Sequence, residues 1–462
     1  MKDRDIDLKL SEFIVTDKGF YKKAILLIIP VVLQSIINQG VNMMDTIMVG
    51  RLGETAISAS SLANQFYQIF QLLCMGISAA GLVMASQYWG AGEKETVKRV
   101  YDLAMQIVLL LGLLFALLTA LFPREIMRIY TPEADVIEEG ARYLLITALI
   151  FLPHGLSLVM SNIVRAIGNA RLGLVISLIS FVVNIGANYV FIFGKLGFPA
   201  MGVMGAALGT LVARLVELTV CAVYMLRIED KLHYRPNGVL KLPTRALLSE
   251  FRRLGLPAVI SDFILGLAAS MISMILGRMG KEVVSAYAIV TVLDRMCTVA
   301  TMGVASAAGV LIGHTVGAGD FARAQKEGWS FLAMSMGIGL IASILVLAVG
   351  TFSVGLYKIA DSTRIIAVAM MDASAFIVFF QAMQSVLSKG ILRGGGDTRF
   401  LMVADVIFQW CASIPLGYLG GIILGLAPHW VLIALRIDYV IKAIWLIFRL
   451  KSGKWIHRAK RV

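Results

Sequence analysis

The sequence predicts an all-α integral membrane protein: twelve transmembrane helices in two six-helix bundles, related by a pseudo-twofold axis along the membrane normal. Three observations predict it. Of the 462 residues 58% are apolar and only 15% charged, with a mean hydropathy of +0.83. Soluble domains hold about 45–50% apolar and about 25% charged residues. The apolar residues fall into twelve runs, each long enough to cross about 30 Å of hydrocarbon, which takes about 20 helical residues. Finally, the two halves of the chain repeat each other at one offset.

Residues 1–23 are polar and of mixed charge, without the apolar stretch of a cleavable leader. They form a cytoplasmic segment, and the first span itself directs insertion. The spans of the first bundle (24–226) run over 24–48, 56–88, 100–122, 143–164, 172–194 and 202–226. Backbone in lipid must satisfy its own hydrogen bonds, and runs of this length suit helices rather than barrel strands. Arg227–Arg253 is polar, carries Pro236, Gly238 and Pro243, and reads as a cytoplasmic linker. The second bundle (254–448) has spans at 254–277, 283–313, 327–356, 365–388, 400–421 and 430–448, followed by a basic cytoplasmic tail, 449–462. With the N-terminus inside, the inner connections hold 29 Lys and Arg against 9 in the outer ones, which places both termini in the cytoplasm.

A shift of 227 residues aligns Pro30 with Pro257, Gly50-Arg51 with Gly277-Arg278, Met75-Gly76 with Met302-Gly303 and Gly90-Ala91-Gly92 with Gly317-Ala318-Gly319. Six spans per half return the chain to the starting side, so the halves share one orientation. Transporters built this way place their cavity between the halves and alternate access to it.

The net charge of +13 comes from basic residues at span ends and termini, where they face a membrane surface; nucleic acid is not expected as a partner. Cys74, Cys221, Cys297 and Cys411 are isolated in apolar stretches and offer neither disulfide nor zinc spacing. Gly90–Gly92 and Gly394–Gly396 lack the Lys-Ser/Thr of a phosphate loop and read as tight turns. No nucleophile–base or metal constellation supports an enzyme, and no cofactor is expected.

Several motifs carry a resemblance. "NMMDTIMVGRLG" (Asn42–Gly53), "QYWGAGEKETVKR" (Gln87–Arg99), "RAIGNAR" (Arg165–Arg171), "RLGLPAVIS" (Arg253–Ser261), "GHTVGAGD" (Gly313–Asp320) and "LRGGGDTR" (Leu392–Arg399) stand in order within the twelve-span frame. In these the chain resembles the multidrug and toxic compound extrusion (MATE) transporters, prokaryotic type, from about Lys22 to Lys451. The resemblance implies efflux of lipophilic, often cationic compounds in exchange for H⁺ or Na⁺, with the lipid bilayer as surroundings and a monomer as working unit. A flippase or exporter of a lipid-linked or endogenous metabolite is the alternative; such proteins usually have extra spans and a cation-rich cavity.

A charge at the bilayer centre costs at least about 2.5–3.5 kcal/mol, so each calls for a reason. Asp45 stands about 33 Å along its helix from Lys23. Its repeat partner is Ile272, so packing symmetry does not explain it. Asn184 and Asn188 share a helix face at i, i+4, and Thr210 reaches a similar depth. Carboxylate, amide and hydroxyl oxygens suit a proton on Asp45 or a Na⁺ at Asp45 and Asn184; helix capping and interhelical hydrogen bonding are the plainer uses. MATE proteins often have Asp where Asn188 stands, a departure that favours coupling through Asp45 alone.

In the second half, relatives use a carboxylate pair on the seventh and tenth spans. The candidates here are Asp262 and Asp372, with Gln381 and Gln384 near where the second acid is expected. Asp372 has no same-face cation and is the best C-half contact for a cationic drug. Asp294 beside Arg295, Asp438 with Lys442, and Arg214 with Glu217 read as neutralised pairs. Met43, Met44, Phe66, Tyr67, Phe379 and Phe380 are candidates for an adaptable drug surface.

Overall fold

The computed structural model describes residues 13–235, 238–239, 241–355, 357 and 359–460. Residues 1–12 of the N-terminal segment, Pro236 of the linker and Lys358 of the charge count lie outside them. Among the described residues there is no strand. The helices are α1 (Lys18–Gly50), α2 (Glu54–Gly90), α3 (Lys94–Leu121), the short α4 (Pro123–Tyr130), α5 (Ala134–Ala166), α6 (Arg171–Phe193) and α7 (Val203–Ile228). They continue as α8 (Arg245–Arg278), α9 (Lys281–Ala318), α10 (Phe321–Gly355), α11 (Asp361–Leu392), α12 (Thr398–Ile423), α13 (Pro428–Leu435) and α14 (Ile437–Lys451).

Eleven of the helices among the described residues, all but α4, α13 and α14, are long and apolar enough to cross a membrane. The twelfth apolar run, expected as one helix over 430–448, is α13 and α14 interrupted at Arg436, whose backbone leaves the helical region (φ −121°, ψ 12°). Wide π-type turns occur in α11 at Val386–Leu392 and in α12 at Val406–Ser413 and Leu419–Ile423. In α12 they flank Pro415, which has no N–H to offer the helix ladder. On α3, Leu110, Leu114, Leu117 and Leu121 form an exposed stripe at helical spacing, while Val97, Tyr101, Ala104 and Val108 are buried. An exposed stripe of leucines is unfavourable in water and natural against lipid.

The chain divides into two compact units. One comprises Leu33–Ala85 and Glu93–Ser249; the other comprises the residues up to Val32, Ser86–Gly92 and the chain from Glu250 onward. The first unit packs Met48, Ala59, Ala63, Leu144, Ile192 and Ala207 into one core cluster. Its helices α6 and α7 touch through glycine. A Cβ on Gly205 would stand 2.5 Å from the Phe191 backbone, and one on Gly209 would stand 2.0 Å from Asn188 Oδ1.

The second unit buries a set of charges. Lys442, 0% exposed, donates to Asp405 at 2.7 Å and lies 3.6 Å from Asp438. Asp438 is fixed further by Ser413, and Asp405 accepts from Ser261. The Asp438–Lys442 pairing expected from the sequence is thus extended to a triad. Asp294 departs from expectation: it pairs with Arg436 at 2.7 Å and accepts from Ser374 at 2.6 Å. Its sequence neighbour Arg295 is not that partner, because successive residues on a helix point about 100° apart. The glycine turn 394–396 seats the tail: a Cβ on Gly395 would stand 2.3 Å from Trp455, which is fully buried, and His457 N–H donates to the Gly395 carbonyl at 2.6 Å.

Candidate functional site: a carboxylate in a polar cavity

The first unit contains a cavity of about 400 Å³ lined by α1, α2, α5, α6 and α7. Asp45 lines it from α1, Asn184 from α6 and Thr210 from α7. The Asn188 amide, one turn beyond Asn184 and fully buried, donates to Asp45 Oδ1 at 2.6 Å. The same nitrogen lies 3.3 Å from Asn184 Oδ1. The four residues singled out on the first half are therefore one neighbourhood. Asn188, however, presents its NH₂ to the carboxylate, so it acts as a donor that stabilises the anion rather than as an oxygen ligand. Thr210, which lines the cavity, donates its hydroxyl to the Ala206 carbonyl of its own helix at 3.0 Å.

Asp45 has no ion-pair partner among the described residues. The one cation lining the cavity, Arg214, sits one turn after Thr210 and donates to Glu217 at 2.6 Å, as expected from the i, i+3 spacing. That pairing holds a guanidinium near the carboxylate without neutralising it. Tyr67, another lining residue, packs against His154 with ring centroids 5.5 Å apart. Both imidazole nitrogens of His154 are buried without a hydrogen-bond partner among the described residues.

The cavity wall differs from an aromatic drug surface. Of the Met and Phe candidates and Tyr67, only Tyr67 lines it; Phe66 packs instead against Phe115 and Phe151. The wall contributed by α2 includes Ser60, Asn64, Gln68 and Gln71, a polar stripe at i, i+4, i+8 and i+11, with Ser61 and Gln65 beside it. The Tyr143 hydroxyl faces Asn64 Oδ1 at 3.5 Å. The helical period of this stripe is visible in the sequence, but its residues are neutral and do not stand out in an apolar run as a charge does.

On the second unit Asp262 is taken up by Arg393 in a two-pronged pair at 2.9 and 3.1 Å, so its charge is balanced. Asp294 is likewise balanced by Arg436. Asp372 is exposed and has no hydrogen bond or ion pair among the described residues. Gln384 is buried, and Gln381 Oε1 is buried without a partner. The structure does not gather these five into one constellation.

Comparison with known proteins agrees with this frame. The family model MatE matches twice, at residues 30–190 and 257–419, and the two matches start 227 residues apart, the offset of the internal repeat. The chain belongs to the MatE family of membrane transporters, and is a transporter rather than an enzyme. It is 28% identical to the probable multidrug resistance protein NorM of Agrobacterium fabrum over 91% of this chain and 94% of that one. It is 25% identical to the Thermotoga maritima NorM over 95% and 94%. In fold it resembles an outward-facing multidrug resistance MATE family transporter of the MOP superfamily (TM-score 0.85, 18% identity, 95% of this chain and 99% of that one). A Vibrio cholerae MATE transporter, VcmN, is similar in fold (TM-score 0.86, 16% identity, 94% and 97%).

Proposed function

We propose that the protein is a multidrug efflux antiporter of a prokaryotic inner membrane, with both termini cytoplasmic. It exports lipophilic organic cations by alternating access in exchange for H⁺ or Na⁺. The observation that carries this reading is Asp45: a carboxylate lining a cavity, held by Asn188 and without an ion-pair partner among the described residues, while Arg214 in the same cavity wall is committed to Glu217. A carboxylate so placed can take up a proton, a Na⁺ or a cationic substrate, and its differential occupancy can bias a two-state transporter. Asn184 and Thr210 supply neutral oxygens within the same cavity, and Asn188 holds the carboxylate in place. Asp372 is the proposed further contact for cationic substrates, since Asp262 and Asp294 are already balanced. The flippase alternative is disfavoured because the single cation lining this cavity is already paired.

The test is dye efflux from proteoliposomes with a pH or a Na⁺ gradient imposed separately. One of the two gradients should drive export of a cationic dye, and Asp45→Asn should abolish it at normal expression. Undiminished gradient-driven transport by the variant would remove Asp45 from the mechanism.

A further inference from the structure

The polar linker after α7 is folded onto the start of α3. The Glu229 carboxylate accepts from the backbone N–H groups of Lys231, Leu232 and His233 at 2.8, 2.8 and 3.2 Å, closing a turn. The Tyr234 ring packs edge-on to Tyr101 with centroids 4.1 Å apart, and its hydroxyl donates to Asp102 at 2.5 Å. One turn further along α3, the Gln106 amide donates to the Val239 and Lys241 carbonyls, both at 2.7 Å. Linker and helix enclose a cavity of about 510 Å³ whose lining includes Lys98, Arg99, His233, Arg235 and Lys241.

Two carboxylates share this lining. Glu95 is paired to Lys98 at 2.7 Å, and Asp102 receives the Tyr234 hydroxyl and partly offsets Lys241. Arg99, Arg235 and Lys241 are exposed and have no carboxylate within ion-pairing distance among the described residues. The concavity therefore holds surplus positive charge on a frame pinned by Gln106, Tyr234 and Glu229. Depth bears on the ligand. Counting back about 20 residues from Leu121 puts the hydrocarbon edge near the Asp102 turn of α3, with Arg99 outside and Gln106 inside. At the pocket wall Leu242 is 95% exposed, an apolar side chain beside cations, as a lipid with an acyl chain and an anionic headgroup would require.

We infer that this linker pocket binds the phosphate headgroup of an anionic lipid, with Arg99, Arg235 and Lys241 on the phosphate and Leu242 against the acyl chain. Each cation at an anionic lipid surface multiplies affinity about fivefold. Arg235→Gln with Lys241→Gln should therefore weaken binding about 25-fold.

The test is native mass spectrometry of the full-length protein titrated with phosphatidylglycerol and, separately, phosphatidylcholine. The native chain should retain phosphatidylglycerol preferentially. The double variant should lose that preference with its thermal midpoint unchanged, and a control pair on the other unit, Lys451→Gln with Lys454→Gln, should keep it. Equal effects of the two pairs would overturn the site, as would no preference in the native chain. If inorganic phosphate alone occupies the pocket and displaces phosphatidylglycerol, the ligand is a free phosphate and the lipid assignment is wrong.

Discussion

Glu217 makes no contact with Asp45, yet its replacement should disable Asp45. Arg214 and Asp45 line one cavity, and the guanidinium donates to Glu217 at 2.6 Å rather than to the carboxylate. A hydrogen bond between charged groups contributes about 1.5–3 kcal/mol. In Glu217→Leu, which offers no acceptor, that preference vanishes, and Asp45 becomes the sole carboxylate on the cavity wall available to Arg214. A change of 1.5–3 kcal/mol moves a two-state equilibrium roughly ten- to hundredfold. Arg214 should then spend most of its time on Asp45, occupying the group that must load and unload. Dye efflux in proteoliposomes should fall at least about tenfold. The double variant Glu217→Leu with Arg214→Gln removes the intruding cation and should recover much of the rate. A single variant that transports at the native rate, or a double variant worse than the single, would refute the reasoning.

Two other expectations concern packing and stability. Gly209→Ala places a methyl group 2.0 Å from Asn188 Oδ1 and 2.9 Å from its backbone nitrogen. It should cost about 1–3 kcal/mol by overpacking and displace Asn188 from Asp45, so efflux should drop further than in Gly186→Ala, where nothing stands within 4 Å. Lys442→Met leaves Asp405 and Asp438, both 1% exposed, without their shared cation. Breaking such a buried set costs about 3–5 kcal/mol. The thermal midpoint in detergent should fall by several degrees and rise again when Asp405→Asn and Asp438→Asn are added; an unchanged midpoint in the single variant would show the triad to be dispensable.

Twelve apolar runs, their helical character and the doubled half were legible in the sequence, because a bilayer imposes one rule on every crossing segment: about 20 apolar residues with the backbone satisfied internally. Spacing rules local to one helix were legible for the same reason, which is why Arg214–Glu217 and Asp438–Lys442 were found from i, i+3 and i, i+4 alone. Asn184 and Asn188 could be placed on one face, and depth counting brought them level with Asp45. What no single helix encodes is which face meets which. Only packing decided that Asp294 goes to Arg436, 142 positions away, and Asp262 to Arg393, 131 positions away. Only packing decided that Asn188 turns its NH₂ toward Asp45, and that Arg436 interrupts the last span. A buried charge must be balanced wherever the fold supplies a partner, and that partner is a property of three-dimensional arrangement rather than of neighbouring residues.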